Sequence, residues 1–140
     1  MYHRILVTLD TSRADEAIIA HVQALATTSG ASLVLIHVAD GFAARNLKHL
    51  ELRESEEIRQ DRAYLDAVGK RLTATGLAVE ALLANGDPAA EITAAAQREH
   101  CDLIAMGTHG HRWLKDLVLG SVANDVRHRT TIPVLMVRNA

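Results

Sequence analysis

Five short apolar runs, each separated from the next by a helical stretch, constrain this chain more than any other feature. They cover residues 5–9, 32–38, 77–84, 102–106 and 133–137. Strands separated by helices cannot pair as hairpins, so they must lie parallel and be joined by right-handed crossovers. Most of the runs are apolar almost without interruption, as expected of strands covered on both faces. The predicted architecture is α/β, a three-layer sandwich around a five-stranded parallel sheet. At 140 residues, 49% of them hydrophobic, the chain fits one domain, 1–140, large enough to bury a core. Aromatic residues are only 3%, so Val, Leu, Ile and Ala must fill that core.

The intervening segments carry helix signals. Ser12 with Asp15 three residues on resembles a capped start, and Ala17, Ile18, His21, Val22 and Leu25 form a stripe that Gly30 ends. Residues 39–47 read as a loop. Residues 48–75 are charge-rich, yet Ile58, Leu65, Val68 and Leu72 share one helix face, and Gly76 ends it. Asp87 suits an N-cap and Pro88 the first helical position, with a helix to about Arg98. A last helix is predicted over 121–129. The mixed charge run at 51–62 reads as a solvated helix face.

Composition removes several classes. No run approaches the roughly 18 apolar residues of a membrane span. The N-terminus enters a strand pattern at once and lacks a signal-peptide layout. Cys101 is the single cysteine, which suits a reducing cytoplasm. A net charge of −2 gives no case for nucleic acid, but its distribution is uneven. Residues 107–140 carry Arg112, Lys115, Arg127, Arg129 and Arg138 against Asp116 and Asp125, a local +3 that favours an anion.

The chemistry concentrates in residues 106–123. Gly107 follows the fourth run directly, Gly110 comes three residues later, and Gly120-Ser121 is expected to open the last helix. Glycines let backbone N–H groups approach a phosphate without a Cβ in the way. A serine cap and the positive end of a helix favour the same anion. Neither GxxxxGK[ST] nor a GxGxxG after the first run is present, which excludes the usual kinase, GTPase and dinucleotide motifs. In open parallel sheets ligands bind beyond the carboxyl ends of the strands, where strand order reverses.

The spacing Gly107-x2-Gly110-x9-Gly120-Ser121 resembles the nucleotide-binding signature of the ATP-binding universal stress proteins. RILVTLDTS, SLVLIHV, GDPAAEI, CDLIAMGTHG and LGSVANDVRHRTTIPVLMVR extend the resemblance over essentially the whole chain. It implies an adenine-nucleotide alpha-hydrolase-like sheet of order 3-2-1-4-5, with ATP, accompanied by Mg2+, across the first and fourth strands. By position, Asp10 would reach the ribose, Thr8 and Val38 would border the adenine, and Met106 would sit beside the nucleoside. Gly107, Gly110, Gly120, Ser121 and Val122 would hold the phosphates. The resemblance also implies a homodimer through the last strand and a regulatory protein partner. Bottom-up, the terminal apolar strand PVLMV has an edge that a two-fold contact would cover. This chain departs from many members in having His111 and Trp113, with Arg112 and Lys115 adding positive charge nearby.

No catalytic constellation and no metal site stands out. His109 and His111 form an H-x-H pair near His100 and Cys101, short of three or four converging ligands. His37, inside an apolar run, reads first as a satisfied core histidine. The expected function is a cytoplasmic, regulatory ATP-binding module of stress response. Two alternatives stay open: a slow ATPase, autophosphorylating or adenylyl-transfer enzyme, and a nucleotide-free dimeric interaction protein.

Overall fold

The computed structural model describes residues 1–40, 47–107 and 116–138. Strand β1 (Arg4–Thr8) leads to helix α1 (Asp15–Ser29), β2 (Ser32–Asp40) to α2 (Leu47–Thr73), and β3 (Val79–Gly86) to α3 (Pro88–Arg98). Strand β4 (Leu103–Gly107), helix α4 (Asp116–Arg129) and β5 (Val134–Val137) complete the order. The sheet is parallel throughout, in the order β3-β2-β1-β4-β5. The family resemblance implied this order, and the strand–helix alternation implied the parallel pairing.

The strand period of two divides the core into two layers. Ile5, Val7, Leu33, Leu35, Leu103 and Ala105 face α1 and α2. Leu6, Val34, Ile36, Ile104 and Met106 face α3 and α4. On the first side, Leu65, Val68 and Leu72 are buried as the α2 stripe predicts, and Ile58 is half-buried. On the second side, the small residues Ala89, Ala95 and Ala96 seat α3 against the sheet.

Local signals act as expected at several ends. Gly30 takes a left-handed φ of 73° and donates its N–H to Ala26 O, closing α1. Asp87 accepts the Ala90 N–H at 3.0 Å, with Pro88 following it at the helix start. Glu56, Glu57, Arg59 and Arg62 of the charge run are exposed.

Several boundaries differ from the sequence expectation, most by a residue or two. β2 continues to Asp40 and β3 lies two residues later than expected, because Ala39 and Asp40 pair with Asn85 and Gly86. The loop expected at 39–47 thereby loses its first two residues to the strand. The last helix starts at Asp116, so Gly120-Ser121 lies inside α4 and does not open it. Residues 116–119, Asp-Leu-Val-Leu, contain no helix breaker, and an aspartate suits a first turn. The N–H groups that a helix start leaves without intrahelical partners therefore fall on 116–119 rather than at a Ser121 cap.

The amino edge of the sheet is closed by polar contacts. Arg4 donates to the Glu99 carbonyl at 2.8 Å, to the Glu99 and Glu80 carboxylates at 2.9 and 3.1 Å, and to Ser32 Oγ at 3.2 Å. Asp102 accepts the N–H groups of His3 and Arg4. Burial pushes the Asp102 carboxyl up, but the Arg4 and His3 N–H groups and the His3 ring outweigh it and hold it low. Cys101 is buried beside them, and burial pushes its thiol up to about 11. Its thiolate is then roughly 100-fold scarcer near neutral pH than on an ordinary thiol. Alkylation of the native protein at pH 7 should accordingly be negligible and become rapid on unfolding, as mass spectrometry of iodoacetamide-treated protein would register.

Candidate functional site

At the opposite, carboxyl edge, the strand order reverses between β1 and β4: β2 and β3 follow β1 on one side, and β5 follows β4 on the other. Thr8 ends β1 there, and its Oγ1 donates to the Ala105 carbonyl of β4 at 3.4 Å. Met106 and Gly107 end β4, paired with Met136 and Val137 of β5. Val38 lies near the end of β2, opposite Ala84. The fold thus brings Thr8, Asp10, Val38, Met106 and Gly107 to one edge of the sheet.

Their side chains are not equivalent. Met106 is buried in the core layer under α3 and α4, so a ligand at this edge meets its backbone. Val38 and Val122 are partly buried against the same layer, and Ser121 is exposed on α4. Gly110 lies outside the described residues, as do His109, His111, Arg112, Trp113 and Lys115. Gly120 belongs to the α4 backbone.

Gly107 is informative because nothing among the described residues requires a glycine there. Its φ lies outside the left-handed region, and a Cβ built on it meets no described atom within 4 Å. Neither turn geometry nor packing among the described residues explains it. A glycine there leaves the backbone open to close approach, including by a ligand.

The turn after β1 is held by a buried carboxylate. Asp15, in the first turn of α1, accepts the Asp10 N–H at 2.8 and 3.0 Å and the Thr11 N–H at 2.8 Å. It also accepts the Tyr64 hydroxyl at 2.7 Å. Thr11 sits at φ 60°, a conformation that a threonine rarely adopts without such support. Ser12 donates its hydroxyl to Asp10 Oδ2 at 3.2 Å and accepts the Ala14 N–H at 3.3 Å. The expected cap at Ser12 does not form: α1 begins at Asp15 after Ala14, with no side-chain cap bond, because Asp15 turns back to hold the Asp10 and Thr11 N–H groups. Burial pushes the Asp15 carboxyl up, and the Asp10 and Tyr64 hydrogen bonds offset this only in part. Burial and the Asp15 carboxylate together push the Tyr64 phenol far above its ordinary value.

His37 is satisfied, as its place in an apolar strand predicts. Its Nδ1 donates to the Leu9 carbonyl at 2.8 Å, and its Nε2 lies 3.5 Å from Asp61 Oδ2. Asp15, Tyr64 and Asp61 were not evident as site residues from sequence, because their partners lie on other elements. Among the described residues no cluster of three metal-ligating side chains is present. A shallow groove of about 560 Å³ beside β3, lined by Lys70, Thr73 and Val79 among others, contains none of the predicted site residues.

Comparison with known proteins agrees with this fold. The model of the universal stress protein family matches residues 1–138. Universal stress protein MJ0577 of Methanocaldococcus jannaschii is 31% identical, over 99% of this chain and 96% of that protein. The solved structure of MJ0577 superposes with a TM-score of 0.84 at 30% identity, covering 100% of this chain and 98% of the other. Two more distant structures share the fold at 22% identity. One is a universal stress protein in complex with cAMP, TM-score 0.72, covering 99% and 98% of the two chains. The other is the Archaeoglobus fulgidus protein in complex with dAMP, TM-score 0.73, covering 97% and 98%. By its sequence match over nearly its whole length and by its sheet order, this chain belongs to the universal stress protein family.

Proposed function

We propose that the chain binds ATP, accompanied by Mg2+, at the carboxyl edge of β1 and β4 and works as a regulatory nucleotide-binding module in stress response. The observation that carries this is Gly107, a glycine outside the left-handed φ region whose Cβ would meet no described atom within 4 Å, ending β4 where strand order reverses. Proteins of the same fold solved with cAMP and with dAMP support an adenine nucleotide as the ligand class.

In this arrangement Thr8 and Val38 border the adenine, Asp10 meets the ribose, and the Met106 backbone lies beside the nucleoside. Gly107, Gly110, Gly120, Ser121 and Val122 hold the phosphates, through backbone N–H groups and the serine hydroxyl. With Gly120-Ser121 inside α4, the serine contributes its exposed hydroxyl, and the positive end of the helix lies one turn earlier. Mg2+ bound with the nucleotide would be held chiefly by phosphate oxygens and water, and would offset the phosphate charge. In this reading the named residues bind and orient the nucleotide, and an assay of phosphate release separates that role from phosphoryl transfer.

The test is equilibrium binding of ATP, ADP, AMP and cAMP, each with and without Mg2+, run beside an assay of phosphate release. Saturable ATP binding without sustained release supports the module. Continuous metal-dependent release would replace it with an ATPase, and Ser121→Ala would then report whether the serine takes part.

The edge strand β5 is proposed as a homodimer contact. Apart from Met1, Met136 is the large hydrophobic most exposed among the described residues, at 38%. A two-fold contact there would cover a strand edge that otherwise invites uncontrolled pairing. Met136→Asp is expected to shift sedimentation from dimer to monomer mass; an unchanged dimer would place the contact elsewhere.

A further inference from the structure

Two relays run from the long helix α2 to the turn after β1. Asp61 and Tyr64 are three residues apart and so share a face of α2. Tyr64 reaches the Asp10 and Thr11 N–H groups through Asp15. Asp61 reaches the Leu9 carbonyl through His37. Residues 9, 10 and 11 are therefore each tied to α2 through one intervening side chain.

This is more than a helix start requires. Asp15 is the only buried charged side chain among the described residues, at 3% exposure. Among the described residues no cation pairs with it; it is satisfied by turn N–H groups and a phenol from a helix 49 residues away in sequence. A buried carboxylate is costly unless fully hydrogen-bonded, and here its bonds maintain the unusual φ of Thr11.

We propose that Tyr64 and Asp61 make α2 the positioning element of the ligand crevice, setting the backbone of residues 9–11 through Asp15 and His37. This rests on the nucleotide reading of Asp10. By reciprocity, a ligand seated on Asp10 biases α2 as much as α2 biases the ligand site. Helix α2, on the sheet face opposite α3 and α4, is then the route by which occupancy reaches the outer surface.

The test compares the full chain with Tyr64→Phe and Asp61→Asn, using amide hydrogen exchange and titration with ATP plus Mg2+. Tyr64→Phe should speed exchange at Asp10 and Thr11 by about tenfold, the scale of one lost hydrogen bond to a charged group. Exchange at Leu6 and Val7 should stay unchanged, and ATP should bind several-fold more weakly. Unchanged exchange at residues 10 and 11, or faster exchange with parental ATP affinity, would overturn the proposal. If Tyr64→Phe does not fold, Asp61→Asn decides: parental affinity in that folded variant overturns the proposal, and several-fold weaker binding supports it. If the parent binds no nucleotide, the proposed function fails separately, and exchange at 10 and 11 alone judges the link to α2.

Discussion

Valine in place of Gly107 is expected to leave the fold intact and to abolish nucleotide binding. The position is the last residue of β4, its φ is accessible to any residue, and a Cβ there meets no described atom within 4 Å. A β-branched residue suits a strand, so stability should change by no more than about 0.5 kcal/mol. Binding behaves differently. A phosphate oxygen must come within roughly 3 Å of a backbone N–H, and an isopropyl group fills that space. Affinity should fall at least ~100-fold, equivalent to about 2.7 kcal/mol, with Gly107→Ala intermediate. Thermal melts and calorimetry on the same samples separate the two effects. Parental affinity in the valine variant would mean that the ligand does not approach this strand end.

The largest stability effect is expected at Leu35, in the middle of β2. Leu35 is completely buried, pairs in register with Val7 and Ala81, and belongs to the layer under α1 and α2. Leu35→Ala should cost about 3 kcal/mol, since the lost transfer energy is joined by an unfilled cavity. That is a large share of the roughly 5–15 kcal/mol that holds a domain together. It should lower the melting temperature by roughly 10 °C. Leu35→Met, which nearly conserves volume, should cost less than about 1.5 kcal/mol. Urea unfolding with an unchanged m-value is the measurement. A loss of only a few tenths of a kcal/mol for the alanine variant would contradict a doubly covered interior β2.

Much of this fold could be read locally, because its signals are local. The Leu65, Val68, Leu72 stripe, the Gly30 stop and the Asp87-Pro88 start each depend on neighbours within a turn or two, and each appears as expected. Strand order is a different matter. Alternation requires parallel pairing but permits several orders, and only the family resemblance selected 3-2-1-4-5. The start of α4 was misread because Gly120-Ser121 resembles a cap, while the four residues before it are equally able to be helical.

The candidate site divides in the same way. Asp10 and Gly107 directly follow the first and fourth apolar runs, so their position at the carboxyl edge follows from strand assignment alone. Asp15 and Tyr64 are joined across 49 residues, and His37 and Leu9 across 28. No periodicity or spacing encodes such a contact, because the parallel crossovers that create it are tertiary. Tyr64 lies within the charged stretch of α2, where a tyrosine reads as one more partly exposed ring. Only its hydroxyl on a buried carboxylate separates it from that background.

Calorimetric titration of the purified, nucleotide-stripped chain with ATP plus Mg2+, beside a folded Gly110→Val variant, tests the central claim most directly. Micromolar binding in the parent and its loss in the variant is the predicted result, because the valine side chain would block phosphate approach. Absence of heat in both proteins, together with no competition from ADP or AMP, would contradict a nucleotide site at the carboxyl edge of β1 and β4.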